Sequence, residues 1–178
     1  MTLGALPQTV EVRTLAAREV RLAGVLDPSR LFRFSAAIVA VKQPVVVKAD
    51  FYRDEEGRYV VSVEVTADVQ VTCQRCLGTL EQTVASSALL AVVWTDEQAS
   101  QLPPRYEPLV AGAEIDFWEV VEDELLLALP SFSYHGDINC GAKTGVQALG
   151  AEVAAVSGSP EKDNPFDVLK ALKGDLDK

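Results

Sequence analysis

Two β-branched-rich runs separated by a six-residue turn constrain this chain more than any other feature. Arg58 to Thr72 carries Val60, Val61, Val63, Val65, Val69 and Val71, a density that favours one long or bent strand over a helix. Thr79 to Trp94 resumes strand-like sequence, alternating at Leu80, Gln82 and Val84 and becoming more apolar from Ala88 onward. Between them lies Cys73-Gln74-Arg75-Cys76-Leu77-Gly78, so the pattern predicts a hairpin with paired cysteines at its tip.

The flanking sequence supplies partners for that hairpin. Glu19 to Leu26 alternates with Val20, Leu22, Gly24 and Leu26 on one face, and Val45 to Phe51 reads as another strand. Asp54-Glu55-Glu56-Gly57 is a polar turn in which Gly57 can take positive φ. Asp27 followed by Pro28 predicts a short capped helix with Leu31, Phe32, Phe34, Ala37 and Ile38 on its apolar side. Asp96 to Pro108, with Pro103-Pro104, reads as a surface connection holding a helical turn at Asp96 to Gln101.

At Asp116 the period changes from two to 3.6. Asp116 and Glu119 have capping-box spacing, and Phe117 to Leu129 predicts a helix stopped by Pro130. Trp118, Val121, Leu125 and Ala128 form its stripe, widened by Phe117, Val120 and Leu127, to cover an open sheet face. The expected architecture is α+β: an antiparallel, partly barrel-like sheet covered by a helix, over residues 1–140. Residues 141–163 read as a flexible linker of Gly, Ala, Thr, Ser and acid. Residues 164–178 read as a short helix with Asn164 as cap and Phe166, Leu169, Leu172 and Leu176 on one face. Too short to persist alone in water, it is expected to dock on its own domain or on a partner, through Asn164, Phe166, Leu169 and Leu172.

A formal charge of −10 excludes a protein that coats phosphate backbones over its whole surface. That charge divides unevenly, net +2 over residues 1–58 and net −12 over residues 59–178. Arg13, Arg18, Arg21, Arg30 and Arg33, interleaved with Phe32 and Phe34, are the candidate RNA-binding residues, joined by Arg75 between the cysteines. The alternative is that the phenylalanines are core and the arginines merely solvated. From Glu107 to Glu124 there are seven acids and no base, a face suited to a basic protein. The most apolar run, Leu125 to Pro130, is far short of the roughly 18 to 20 residues that span a bilayer, and Met1 to Gln8 lacks a signal-type core. The expected location is the cytoplasm, with no membrane partner.

Catalytic chemistry finds little purchase. The chain has one histidine, His135, outside any nucleophile motif, and no Gly-rich phosphate loop. Asp116, Glu119 and Asp123 read as a helix start and a solvated face. No catalytic residue and no small-molecule substrate is expected. A metal is the sharper possibility: Cys73 and Cys76 present two sulfurs to one ion, and only His135 and Cys140 remain as further donors of zinc-binding type. The alternative is reduced thiols in a tight turn, with Cys140 and His135 incidental.

Val71-Thr72-Cys73-Gln74-Arg75-Cys76-Leu77, Tyr106-Glu107-Pro108-Leu109, Val121-Glu122-Asp123-Glu124-Leu125-Leu126-Leu127-Ala128-Leu129-Pro130 and Asn164-Pro165-Phe166 occur in order along the chain. Together with His135 and Cys140 they resemble the YceD family, the large ribosomal RNA subunit accumulation proteins. The resemblance implies a non-enzymatic cytoplasmic factor needed for synthesis, processing or stability of large-subunit (23S-type) ribosomal RNA, with precursor RNA or assembly proteins as partners. Where some relatives hold a fuller second cysteine cluster, this chain has Cys140 with Gly141, which leaves His135 as the substitute donor for one structural zinc. A second class of function is a protein-only adaptor that docks a basic ribosomal protein or a biogenesis enzyme without touching RNA.

Overall fold

The computed structural model describes residues 4–141. The long hairpin is its backbone: β6 (Tyr59–Thr72) and β7 (Thr79–Val93) pair antiparallel from Thr72 opposite Thr79 to Val60 opposite Ala91. β5 (Val45–Arg53) adds antiparallel to the other edge of β6, and β3 (Arg21–Leu26) adds antiparallel to β5. Gly57 takes φ 78° in the β5–β6 turn, where an L side chain would be strained. Asp54 organises that turn by accepting from the backbone N–H groups of Glu56 and Arg58, from the Arg58 guanidinium and from the Tyr106 hydroxyl.

Short pieces extend the sheet where the hairpin pattern alone gives no hint of them. β1 (Gly4–Ala5) runs parallel to β3, β8 (Glu107–Val110) runs parallel to β7, and β4 (Ala40–Val41) pairs with β6 beyond the end of β5. At Gly24 a Cβ would lie 2.8 Å from Leu6 Cγ, so the close approach of β1 requires glycine there. The path β1-β3-β5-β6-β7-β8 is open. The sheet therefore does not close into the expected partly barrel-like form: β1 and β8 are its edges, each bonded on one side only, and both edge pairings are parallel while the central four strands are antiparallel.

One face of the sheet carries the core. Strand alternation puts Phe51, Val61 and Leu90 in one row and Val47, Val65 and Ser86 in another, with Val63, Val69 and Val84 beside them. The opposite face is mostly polar, as in the row Lys48, Glu64, Ser87, with a small apolar cluster of Val60, Ala91 and Tyr106 at one end. Three helices cover the apolar side: α1 (Val12–Ala17) with Val12 and Ala16, α2 (Phe32–Ala37) with Phe34, and α4 (Phe117–Ala128) with Phe117, Val121 and Leu125. The fourth, α3 (Asp96–Ala99), is the helical turn expected after Trp94. Phe117 packs on Phe51 with ring centroids 6.0 Å apart.

Asp116 caps α4, its carboxylate accepting from the N–H groups of Trp118 and Glu119. β2 (Thr9–Val10) pairs antiparallel with β9 (Ile115–Asp116), and Gln8 donates to the other Asp116 oxygen, fixing where the helix starts. The stripe on α4 differs from the expected one. Leu127 is exposed, whereas Glu122 and Glu124 are buried, because α2 and β7 offer each acid a specific donor. The helix expected from Pro28 is two pieces, a 3-10 turn Pro28–Arg30 capped by Asp27 and then α2, since Leu31 between them is not helical. The expected linker 141–163, apart from Gly141, and the expected helix 164–178, including Asn164, Phe166, Leu169 and Leu172, lie outside the described residues. Among the described residues no helix is long and apolar enough to cross a membrane.

Candidate metal centre at the hairpin tip

The hairpin tip is built by backbone hydrogen bonds that turn groups inward. Cys73 N–H donates to the Gly78 carbonyl and Leu77 N–H to the Cys73 carbonyl, both at 2.8 Å, closing the loop around the two sulfurs. Leu77 takes φ 60°, a left-handed conformation that costs a branched side chain about 1 kcal/mol and persists only where the surrounding contacts impose it. After Pro130 the chain returns to the tip: Gln74 N–H donates to the Ser133 carbonyl at 2.9 Å, and His135 N–H points at Cys73 Sγ from 3.5 Å.

This return brings every cysteine and the one histidine of the chain together. The ligand atoms of Cys73, Cys76, His135 and Cys140 all lie within 4.8 Å of one another, and the three sulfurs are buried. Cys73 Sγ is 3.9 Å from Cys140 Sγ, and Cys76 Sγ is 3.3 Å from His135 Nδ1. Zinc–ligand bonds of about 2.3 Å to sulfur and about 2.0 Å to nitrogen imply tetrahedral edges of about 3.8 and 3.5 Å. The two separations are close to such edges, and the sulfur–sulfur one is far too long for a disulfide. His135 Nε2 sits 3.1 Å from the Thr79 carbonyl, the outer partner that sets an imidazole's tautomer and leaves Nδ1 to face a metal.

Electrostatics at the cluster favour a sulfur anion at Cys73 and oppose one at Cys140. Burial opposes ionisation of Cys73, but the N–H groups of Cys76, His135 and Arg75 outweigh it and bring that thiol down to about 5. Cys140 is pushed up by burial and by its neighbours Cys76 and Cys73, against a pull from Arg75, whose Nη1 is 3.7 Å from its sulfur. Around a metal ion these four side chains would fill all positions of a tetrahedron and leave none for substrate, as structural sites do.

The remaining candidates are dispersed. Arg30 and Arg33 lie along α4, the first with its guanidinium 5.8 Å from the Trp118 ring, the second bonded to Glu122 at 2.9 Å and Asp123 at 2.7 Å. Arg13 stacks on Trp94 at 3.8 Å, just past β7. Arg21 pairs with Asp50 at 3.5 Å on the polar face, and Arg18 is exposed at the end of α1. Arg13, Arg21, Arg30 and Arg33 are thus held at different anchors, and the acids at 122 and 123 neutralise Arg33. Of the candidate arginines, Arg75 lies at the Cys/His cluster.

Sequence reasoning passed over two residues there. Phe132 and Tyr134 are exposed while Ser133 between them is buried, and their rings are parallel to within 7° with centroids 6.4 Å apart. The alternation Phe132-Ser133-Tyr134-His135 after a helix stop is the signal that marks them.

The profile of the family described as "Large ribosomal RNA subunit accumulation protein YceD" matches residues 61–173 of this chain. A curated relative, the large ribosomal RNA subunit accumulation protein YceD of Haemophilus influenzae, is 34% identical over 170 residues, covering 94% of this chain and 96% of its own. No solved structure matches.

Proposed function

The chain belongs to the YceD family of large ribosomal RNA subunit accumulation proteins, and from that premise we propose that it is a non-enzymatic cytoplasmic factor for large-subunit (23S-type) ribosomal RNA. It acts by binding precursor RNA, and assembly proteins with it, so that the RNA is processed and retained. The observation that carries the non-enzymatic reading is the commitment of the one histidine: both ring nitrogens of His135 are engaged, Nδ1 by Cys76 and Nε2 by the Thr79 carbonyl. That leaves no imidazole for general acid–base work. The same cluster holds one structural zinc through Cys73, Cys76, His135 and Cys140, which pins the chain after α4 to the hairpin tip.

Depletion of the protein in cells tests the function. Large-subunit rRNA is expected to fall relative to small-subunit rRNA, with precursors accumulating or being degraded, and the wild-type gene restores the ratio. An unchanged ratio on full depletion would overturn the reading. RNA recovered after crosslinking to the protein is expected to be enriched in large-subunit precursor; recovery of ribosomal proteins without RNA would instead favour the adaptor.

A further inference from the structure

The geometry of the tip points to a specific RNA contact: we propose that Phe132 and Tyr134, flanked by Arg75, form a stacking platform for unpaired bases of the RNA. This rests on the RNA-binding reading above and places the contact away from the N-terminal arginines.

Exposed aromatic rings are expensive to keep in water, and a fold that could bury them normally does. Here Phe132 is 68% and Tyr134 46% exposed, beside Leu77 at 73% in the same tip. They stand at alternate positions of the irregular segment after α4, exposed while Ser133 between them is buried. Two features make the pair a platform instead of a loose patch. Their ring planes are parallel to within 7°, an alignment that suits the parallel faces of successive bases. Their backbone is held in advance by the Ser133 carbonyl bond to Gln74 and by the contacts of His135 with Cys73 and Cys76, so little ordering entropy remains to be lost on binding.

Charge completes the case for RNA over protein. The Arg75 guanidinium lies over the Tyr134 ring, 5.0 Å from its centre, and is anchored through Nη1 to the Asp137 carbonyl at 3.0 Å, which holds a cation on one side of Tyr134 where it can meet the phosphate of a stacked nucleotide. An acidic protein with few phosphate contacts must draw its affinity from base stacking, and stacking favours single strands because paired bases hide their faces.

The test uses the full-length protein and fluorescein-labelled rA12, rU12 and the rA12·rU12 duplex in anisotropy titrations at fixed salt. Both single strands are expected to bind more tightly than the duplex. F132A and Y134A should each weaken single-strand binding about ten- to hundred-fold, F132Y and Y134F should stay within about two-fold of wild type, and circular dichroism should report an unchanged fold. R75A removes a contact to Cys140 as well, so it is scored only if its fold is intact. Equal binding by wild type, F132A and Y134A overturns the platform while leaving the cellular rRNA phenotype standing. Equal binding to single strand and duplex also overturns it. If depletion lowers large-subunit rRNA but the protein binds none of the three probes, a protein occupant replaces RNA at this surface. If depletion changes nothing, the underlying function fails first.

Discussion

Glu124 is buried against the middle of β7, where Ser86 donates its hydroxyl at 2.6 Å to one carboxylate oxygen. Burial raises its pKa, the serine bond lowers it, and the nearby charges of Glu107 and Asp123 raise it further, for a net upward shift. A carboxyl with a raised folded-state pKa contributes stability that is full below the ordinary glutamate value and is lost as pH rises through the raised one. E124Q is therefore expected to melt above wild type at pH 7, by about 2–4 °C for each kcal/mol regained, with the gap closing as pH falls toward 4. Comparing the two proteins cancels the titration of the cysteine cluster, and a pH-independent gap would sink the assignment. Asp54 has the opposite sign: burial opposes its charge, but the N–H groups and guanidinium of Arg58 outweigh burial and hold it below the usual carboxylate range. Neither behaviour was legible in the sequence, where Asp54 is one acid of a polar turn and Glu124 one of seven on an acidic stretch. A helical wheel records that a glutamate interrupts a stripe; it does not record the serine waiting on the strand beneath.

At the scale of elements, α2 and α4 are clamped by a buried carboxylate. Glu122 accepts from Arg33 Nε at 2.9 Å and from the backbone N–H of Phe34 at 3.1 Å, and Phe34 is itself fully buried. The two partners are unequal. Removing the acid strands a buried N–H, at a cost of about 1–3 kcal/mol, whereas Arg33 is half exposed and its loss leaves Glu122 with the Phe34 bond, so solvent screening makes that loss the smaller one. Urea unfolding of the full-length protein is expected to show E122A well below R33A in midpoint, and the reverse order would remove the clamp. The long elements were legible because each carries its own period: the valines of β6, the alternation of β7, the cap and stripe of α4. Those missed, α1, β8 and the short strands β1, β2, β4 and β9, have two to six residues and exist through their neighbours. Val12, Leu15 and Ala16 do carry an i, i+3, i+4 spacing, but six residues do not make a stable helix without β5 and β6 beneath them.

The whole molecule is an open sheet whose longest hairpin ends in the cysteine cluster, and that cluster is where distant parts of the chain meet. Sequence placed Cys73 and Cys76 at a tip and offered His135 and Cys140 as the other donors; the convergence itself depends on α4 running back along the sheet, which no spacing rule encodes. Net charge behaves similarly. The split between a basic beginning and an acidic remainder is real in sequence, yet Arg33 is spent on Glu122 and Asp123, so the charge map of the fold is flatter than that of the chain. If zinc holds the tip, it ties residue 73 to residue 140 across β7 and α4 and stabilises the fold in proportion to its occupancy. Full-length protein purified without added metal is expected to contain about one zinc per chain by elemental analysis. C140S and C76S should lose most of it, and a strong chelator should lower the melting temperature of wild type while leaving C140S nearly unmoved. The same chelator should leave the stability difference between E122A and wild type intact, since that clamp lies on other elements. Protein that carries no metal, and melts at one temperature with or without chelator, would leave three reduced thiols and an imidazole packed by hydrogen bonds alone.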